Sequence, residues 1–221
     1  MEKLFVFLIF YVLASSAQSA VITFDSHVAG TLVSGTPSPD SVVTDDYRDS
    51  GILFGLPGFS AGVGVVSHSQ THSGPNGVCG LDVGGSITPS CTGDIYFSFV
   101  DGLNNATTNS VSFYIGDAGG DIDGWIVNVF DLADNLLESR SVESQSIVSQ
   151  TFEHTGMHRF NIDWTDITPF GYFLDDISFN EPISIRDIKR EATDVSEPSS
   201  MALLFFGLSG IVLFRRRNNL Q

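Results

Sequence analysis

Between residues 20 and 180, apolar residues recur at every second position in segment after segment, and no stretch there sustains the 3.6-residue apolar period of a packed helix. Within Asp94–Val100, Ile95, Phe97 and Phe99 share one face; within Ser110–Ile115, Val111, Phe113 and Ile115 do the same. Further strand signals lie at Val21–Phe24, Ser50–Phe54, Trp125–Phe130, Leu136–Ser139, Ile147–Phe152, His158–Trp164 and Phe173–Phe179. Turn residues separate them about every ten positions. A two-residue period hides one face of each strand, and two such faces closing on each other make a core. With 18 Phe and 22 Gly, the expected fold is all-β, a single antiparallel β-sandwich over residues 20–180.

The N-terminus reads as a signal peptide, residues 1–19. Lys3 supplies a small cationic region, Leu4–Leu13 an apolar one, and Ala17-Gln18-Ser19 offers small residues for cleavage after Ser19, with Ala20 as the neighbouring choice. The alternative, an N-terminal anchor, has too few apolar residues to span a bilayer that needs about 20. This reading brings in the Sec translocon and signal peptidase as partners and an oxidising compartment as destination. There Cys79 and Cys91 are expected to pair, closing a glycine-rich loop of about a dozen residues for ~3 kcal/mol in the chain-entropy model. The chain carries 26 acidic against 10 Lys and Arg residues, a net charge of −16. Such a surface repels phosphate backbones, which excludes nucleic acid as a partner.

At the other end a polar, charged stretch, residues 181–196, reads as a linker. It leads into Glu197-Pro198-Ser199-Ser200, an apolar run Met201–Phe214, and Arg215-Arg216-Arg217. A free C-terminus with three arginines behind an apolar block fits a single transmembrane helix whose cationic end stays in the cytoplasm. The run is short against the ~20 residues that a span requires, and Gly207 and Gly210 weaken it as a helix. That favours a temporary hold, although a permanent anchor has the same outline. The order of short motif, apolar segment and basic end resembles the PEP-CTERM sorting signal of Gram-negative bacteria, with Ser196 standing where the first proline is expected. The resemblance implies an exosortase, a membrane-embedded Cys-His-Arg protease/transpeptidase, cutting at Glu197–Ser200 and releasing the protein to the surface. Ile22-Thr23-Phe24-Asp25, the hairpin Val127–Leu137 around Asp131 and Asn135, and Phe173–Phe179 also resemble the core domain of PEP-CTERM exoproteins. Such domains are similar to jelly-roll carbohydrate-binding modules. The expectation is an exported, surface-sorted, non-enzymatic protein of the matrix or envelope, associated with exopolysaccharide or biofilm.

Several constellations bear on chemistry. Asp25 near the start and Asp175-Asp176 near the end meet if first and last strands are neighbours; Ca²⁺, with its appetite for oxygen ligands, is the expected metal there. The alternative is that one aspartate caps a turn and the other is solvated. Asp117–Gly124 places three carboxylates in a glycine-rich loop without EF-hand spacing, so it is a solvated turn or a calcium or sugar contact. Gly58–Gly62 matches G-x-S-x-G around Ser60, with Asp131 and His154 in triad order. The helix that a nucleophile elbow needs is missing, so no catalytic residue is expected. His68, His72, Cys79 and Cys91 make a zinc set only if the cysteines stay reduced. Trp125, Trp164, Tyr114 and Tyr172 are either core or a sugar-stacking platform. A calcium-assisted lectin is the first rival reading and a secreted hydrolase the second.

Overall fold

The computed structural model describes residues 19–29, 41–56, 58–86, 91–117, 119, 121–166 and 171–184. The expected signal peptide (save Ser19), the sorting motif Glu197–Ser200, the span 201–214 and the arginines Arg215–Arg217 lie outside the described residues. The chain divides into a unit ending at Ile183, which holds the two sheets, and a second unit from Ser184 to Gln221. No helix among the described residues is long and apolar enough to cross a membrane.

The strands lying wholly within the first unit are β1 (Ser19–Ile22), β2 (Val42–Val43), β3 (Ile52–Phe54), β4 (Val63–Ser67), β5 (Asn76–Gly80), β6 (Ile95–Asp101), β7 (Asn104–Thr107), β8 (Val111–Gly116), β9 (Asp123–Phe130), β10 (Leu136–Ser144), β11 (Val148–Phe152), β12 (Arg159–Trp164) and β13 (Phe173–Asn180). A 3₁₀ turn, Arg48–Ser50, precedes β3. One sheet runs β11-β8-β13-β5-β4-β2, with β1 also on β13; the other runs β10-β9-β12-β6-β7, with β3 also on β6. The paired strands are antiparallel throughout. First and last strands adjoin, Ala20 opposite Phe179 and Ile22 opposite Ile177.

The two inner faces meet in one apolar core. Phe97, Phe99 and Phe160 come from one sheet, Phe113, Phe152 and Phe179 from the other, and all are buried. Phe160 stacks on Phe97 with ring centroids 4.9 Å apart, and Phe99 reaches Phe179 across the layers at 5.0 Å. The alternation read from sequence is the cause: β8 buries Val111, Phe113 and Ile115, while β9 buries Trp125, Val127 and Val129.

Two boundaries differ from the sequence reading. Pro182, expected in the linker, packs on Gly51: a Cβ added at Gly51 would stand 2.5 Å from the proline ring. The second is at β5, which precedes the bridged loop and has no strand signal in its composition; its five residues are all buried.

Cys79 on β5 is bonded to Cys91, with Cα atoms 5.1 Å apart, inside a small apolar cluster with Val66, Leu81 and Phe173. Reduction leaves that cluster in place but frees the loop in the unfolded chain, so the expected loss is ~3 kcal/mol, or roughly 6–12 °C in melting temperature. Thermal melts with and without reductant check this. An unchanged melting point would mean that the bridge adds nothing to the stapled loop.

Candidate functional site

Asp25 follows β1, and Asp175 and Asp176 lie on β13 where its ladder to β8 shifts register. Because β1 and β13 are neighbours, all three carboxylates arrive at the loop joining β4 to β5. Asp175 is 1% exposed and accepts from the backbone N–H groups of Ser73 (3.0 Å) and Asp176 (2.8 Å). Asp176, at φ +44°, accepts from the Ser73 hydroxyl at 2.6 Å and pairs with His72 Nδ1 at 2.6 Å. The His72 ring lies flat on Tyr114, centroids 3.4 Å apart. Asp25 accepts from Asn76 N–H and fills the space that a side chain at Gly74 would need, 2.0 Å from that position. Burial raises the Asp175 carboxyl above its ordinary pKa, and the Asp176 charge adds to it against helpful N–H donors. Among the described residues no three His, Cys, Asp or Glu side chains form a preformed metal-ligand set. The oxygens of Asp25, Asp175 and Asp176, the calcium candidates, tie the β4–β5 loop to β13 and to the end of β1.

The remaining sequence candidates separate. Ser60 is buried in a tight turn, its hydroxyl bonded to Gly62 O at 3.0 Å, and β4 rather than a helix follows. Asp131 is occupied by the Ala133 and Asn135 N–H groups, and His154 Nε2 by Glu138 at 2.6 Å. No Ser-His-Asp relay is assembled from them. The cysteines of the zinc set are oxidised. Trp125 and Tyr172 are 0% exposed and Trp164 stacks on Tyr172 at 5.4 Å, so these aromatics are core rather than a platform. Of the stretch Asp117–Gly124, Asp123 and Gly124 belong to β9.

A different surface carries a row of linked polar side chains. Along β6, β9 and β12 these positions alternate with core residues, so Ser98, Asn128, Phe130, Arg159, Asn161 and Asp163 face away from the core, and Tyr96, in the same phase, is nearly covered at 8% exposure. Register aligns them in rows: Tyr96, Asn161 and Asn128 in one, Ser98, Arg159 and Phe130 in the next. Asn128 donates to Asp163 at 2.9 Å, and the Tyr96 hydroxyl lies 3.3 Å from Asp163 and 3.4 Å from Asp94. Arg159 donates to Asn161 and to Asp134 and lies 3.9 Å over the Phe130 ring. Phe59, 63% exposed, stands at the Tyr96 edge with centroids 6.2 Å apart. Burial, with the Asp94 and Asp163 charges, drives the Tyr96 phenol up, so it stays a donor. Burial and Asp94 likewise raise Asp163. Alternating donors and acceptors flanked by rings suit a neutral polyhydroxylated ligand better than an anion. The sequence holds a signal for this face in the polar members of the same alternation, Arg159-x-Asn161-x-Asp163 opposite Asn128. Apolar periodicity alone does not reveal it.

Comparison with known proteins finds the PEP-CTERM protein-sorting motif at residues 194–217. No curated protein matches the chain. Solved structures with partial similarity include an isomaltodextranase of Arthrobacter globiformis T6 complexed with panose, at 15% identity over 58% of this chain and 23% of that one, TM-score 0.35. The K2 cleaved adhesin domain of Lys-gingipain matches at 15% identity over 73% of this chain and 97% of that one, TM-score 0.38. The CBM22-1–GH10 modules of Clostridium thermocellum xylanase 10B, complexed with xylohexaose, match at 12% identity over 70% and 29%, TM-score 0.34. The chain spans under a quarter of the isomaltodextranase, and at these scores no activity or ligand passes from these proteins to it.

Proposed function

We propose that this chain is a non-enzymatic protein of the extracellular matrix or envelope that associates with exopolysaccharide through the outward face of β6, β9 and β12. The observation that carries the reading is the PEP-CTERM protein-sorting motif at 194–217, which marks an exported, surface-sorted chain processed by exosortase. The Sec translocon and signal peptidase act at the N-terminal end, before the sandwich folds outside. The tail then holds the protein in the inner membrane until exosortase releases it. The sandwich is therefore the cargo, and its acidic surface keeps it soluble without attracting polyanions.

The polar rows support a glycan ligand. Paired sugar hydroxyls both donate and accept, as Asn128, Asn161 and Tyr96 do, and the apolar face of a pyranose ring matches an exposed aromatic such as Phe59. Replacing both Asn128 and Asn161 with alanine removes hydrogen bonds worth about 1 kcal/mol each, so retention on the native polysaccharide should weaken roughly 10–30-fold with the fold intact. Affinity electrophoresis through that polysaccharide, with and without EDTA, reads the effect. Equal mobility of wild type and variant would overturn the assignment of this face. Retention lost on EDTA alone would hand the ligand to a calcium-assisted lectin pocket.

A further inference from the structure

Asp123 opens β9 on the inward side, the same side as the core residues Trp125, Val127 and Val129. Its carboxyl therefore enters the space between the sheets, where it is 0% exposed. Neither of its oxygens meets a hydrogen-bond partner, and the indole N–H of Trp125, the next inward position, is also buried without one. This is unlike the chain's treatment of its other buried carboxyl on β13: Asp175 accepts from two backbone N–H groups. A buried carboxylate with no donor is costly if it stays ionised. Burial pushes the Asp123 pKa up to about 8, helped by the neighbouring Asp117 carboxyl and by the charges of Asp121 and Asp166. Asp117 follows β8 and Asp121 precedes β9 on one connection, and Thr165 N–H donates to Gly124 O at 3.0 Å, so Asp166 leaves β12 at the same end of the sandwich.

We propose that Asp123, with Asp117, Asp121 and Asp166, holds a divalent cation of the calcium class at this end of the sandwich. The donors are all oxygen, which disfavours zinc and copper and suits a hard cation. Ca²⁺ accepts irregular geometry and completes its shell with carbonyls and water, whereas Mg²⁺ demands a near-octahedral set. Among the described residues these side chains do not form a ready-made ligand set, so the cation draws Asp117 and Asp121 onto Asp123. Asp117 now caps its own loop, accepting from Gly119 N–H at 2.6 Å, and its other oxygen can turn to the metal. Binding is expected in the weak range of extracellular modules, about 10⁻⁴–10⁻³ M. This site is separate from Asp25, Asp175 and Asp176, whose oxygens serve the β4–β5 loop.

Terbium is the probe, because a bound Tb³⁺ near Trp125 is excited through the indole and reports occupancy directly. With the full chain purified in detergent, Tb³⁺ should luminesce on tryptophan excitation, and Ca²⁺ should quench the signal by competition. Asp123→Asn and Asp121→Asn should each weaken Tb³⁺ binding at least tenfold, while Asp176→Asn should leave it unchanged. Asp121 lies on the loop before β9, so its variant keeps the test valid if Asp123→Asn misfolds. Equal binding by wild type and both site variants, or loss only in Asp176→Asn, overturns the proposal. So does an Asp123→Asn protein that melts higher than wild type while neither binds Tb³⁺; Asp123 and Asp117 would then share a proton and no metal.

Discussion

Phe160→Ala is expected to destabilise the sandwich by about 3–5 kcal/mol, enough to lower its melting temperature by roughly 6–20 °C. Phe160 sits on β12 between β6 and β9, is 0% exposed, and touches rings from both sheets. It stacks on Phe97 at 4.9 Å and meets Phe99 at 6.1 Å, Phe113 at 6.2 Å and Phe152 at 5.4 Å edge-on. Truncation removes its transfer free energy, leaves a cavity bounded by rigid rings on strands that cannot close up, and deletes four aromatic contacts. Phe160→Leu fills part of the space and should cost about half as much. Chemical denaturation of the wild type and both variants measures the difference. A loss below about 1 kcal/mol for the alanine variant would mean that the two sheets are not joined through this cluster.

The parts of the fold that alternate were legible in the sequence. β6, β8, β9 and β13 each place apolar residues two apart, and that pattern alone sets which face is buried. β5 was not legible, because Asn76-Gly77-Val78-Cys79-Gly80 has two glycines and an asparagine, residues of low strand propensity. It is a strand because β4 pairs along its length and Leu174 of β13 lies opposite Val78. Those partners are tertiary context that local composition does not carry. Sheet membership was equally hidden: β10 and β11 are consecutive, yet they belong to opposite sheets. For the site, sequence placed Asp25 beside Asp175 and Asp176 by way of adjoining strands. What it did not carry was the loop they meet, since His72 and Ser73 are about a hundred residues away from Asp176 along the chain. Asp123 was visible only as one carboxylate of a loop. That it turns inward depends on the strand phase of β9, which is read only once Trp125 and Val127 are known to face the core.

Replacing Arg215, Arg216 and Arg217 with glutamates should abolish most surface delivery. Cationic residues behind an apolar span are held in the cytoplasm, and each acidic replacement reverses that preference. In the proposed topology the fourteen residues from Met201 to Phe214 are short for a span, so losing the cationic end should leave the tail poorly retained during export. Changes at Glu197 or Pro198 should act differently: insertion proceeds, but cleavage stops and the protein stays in the membrane fraction. Fractionation of cells expressing each variant separates the two outcomes. Wild-type release by the triple glutamate variant would mean that the basic end has no part in sorting.

If the sandwich is cargo carried by a removable tail, the tail's fate must depend on exosortase alone. Pulse-chase labelling of the full chain in otherwise identical hosts with and without exosortase reads that dependence. With the enzyme, the tail should disappear during the chase and a shorter protein should emerge at the surface or in the medium. Without it, the tail-bearing form should persist in the inner membrane. A tail that stays on the protein in both hosts would make the segment a permanent anchor, and the sandwich would not be released cargo.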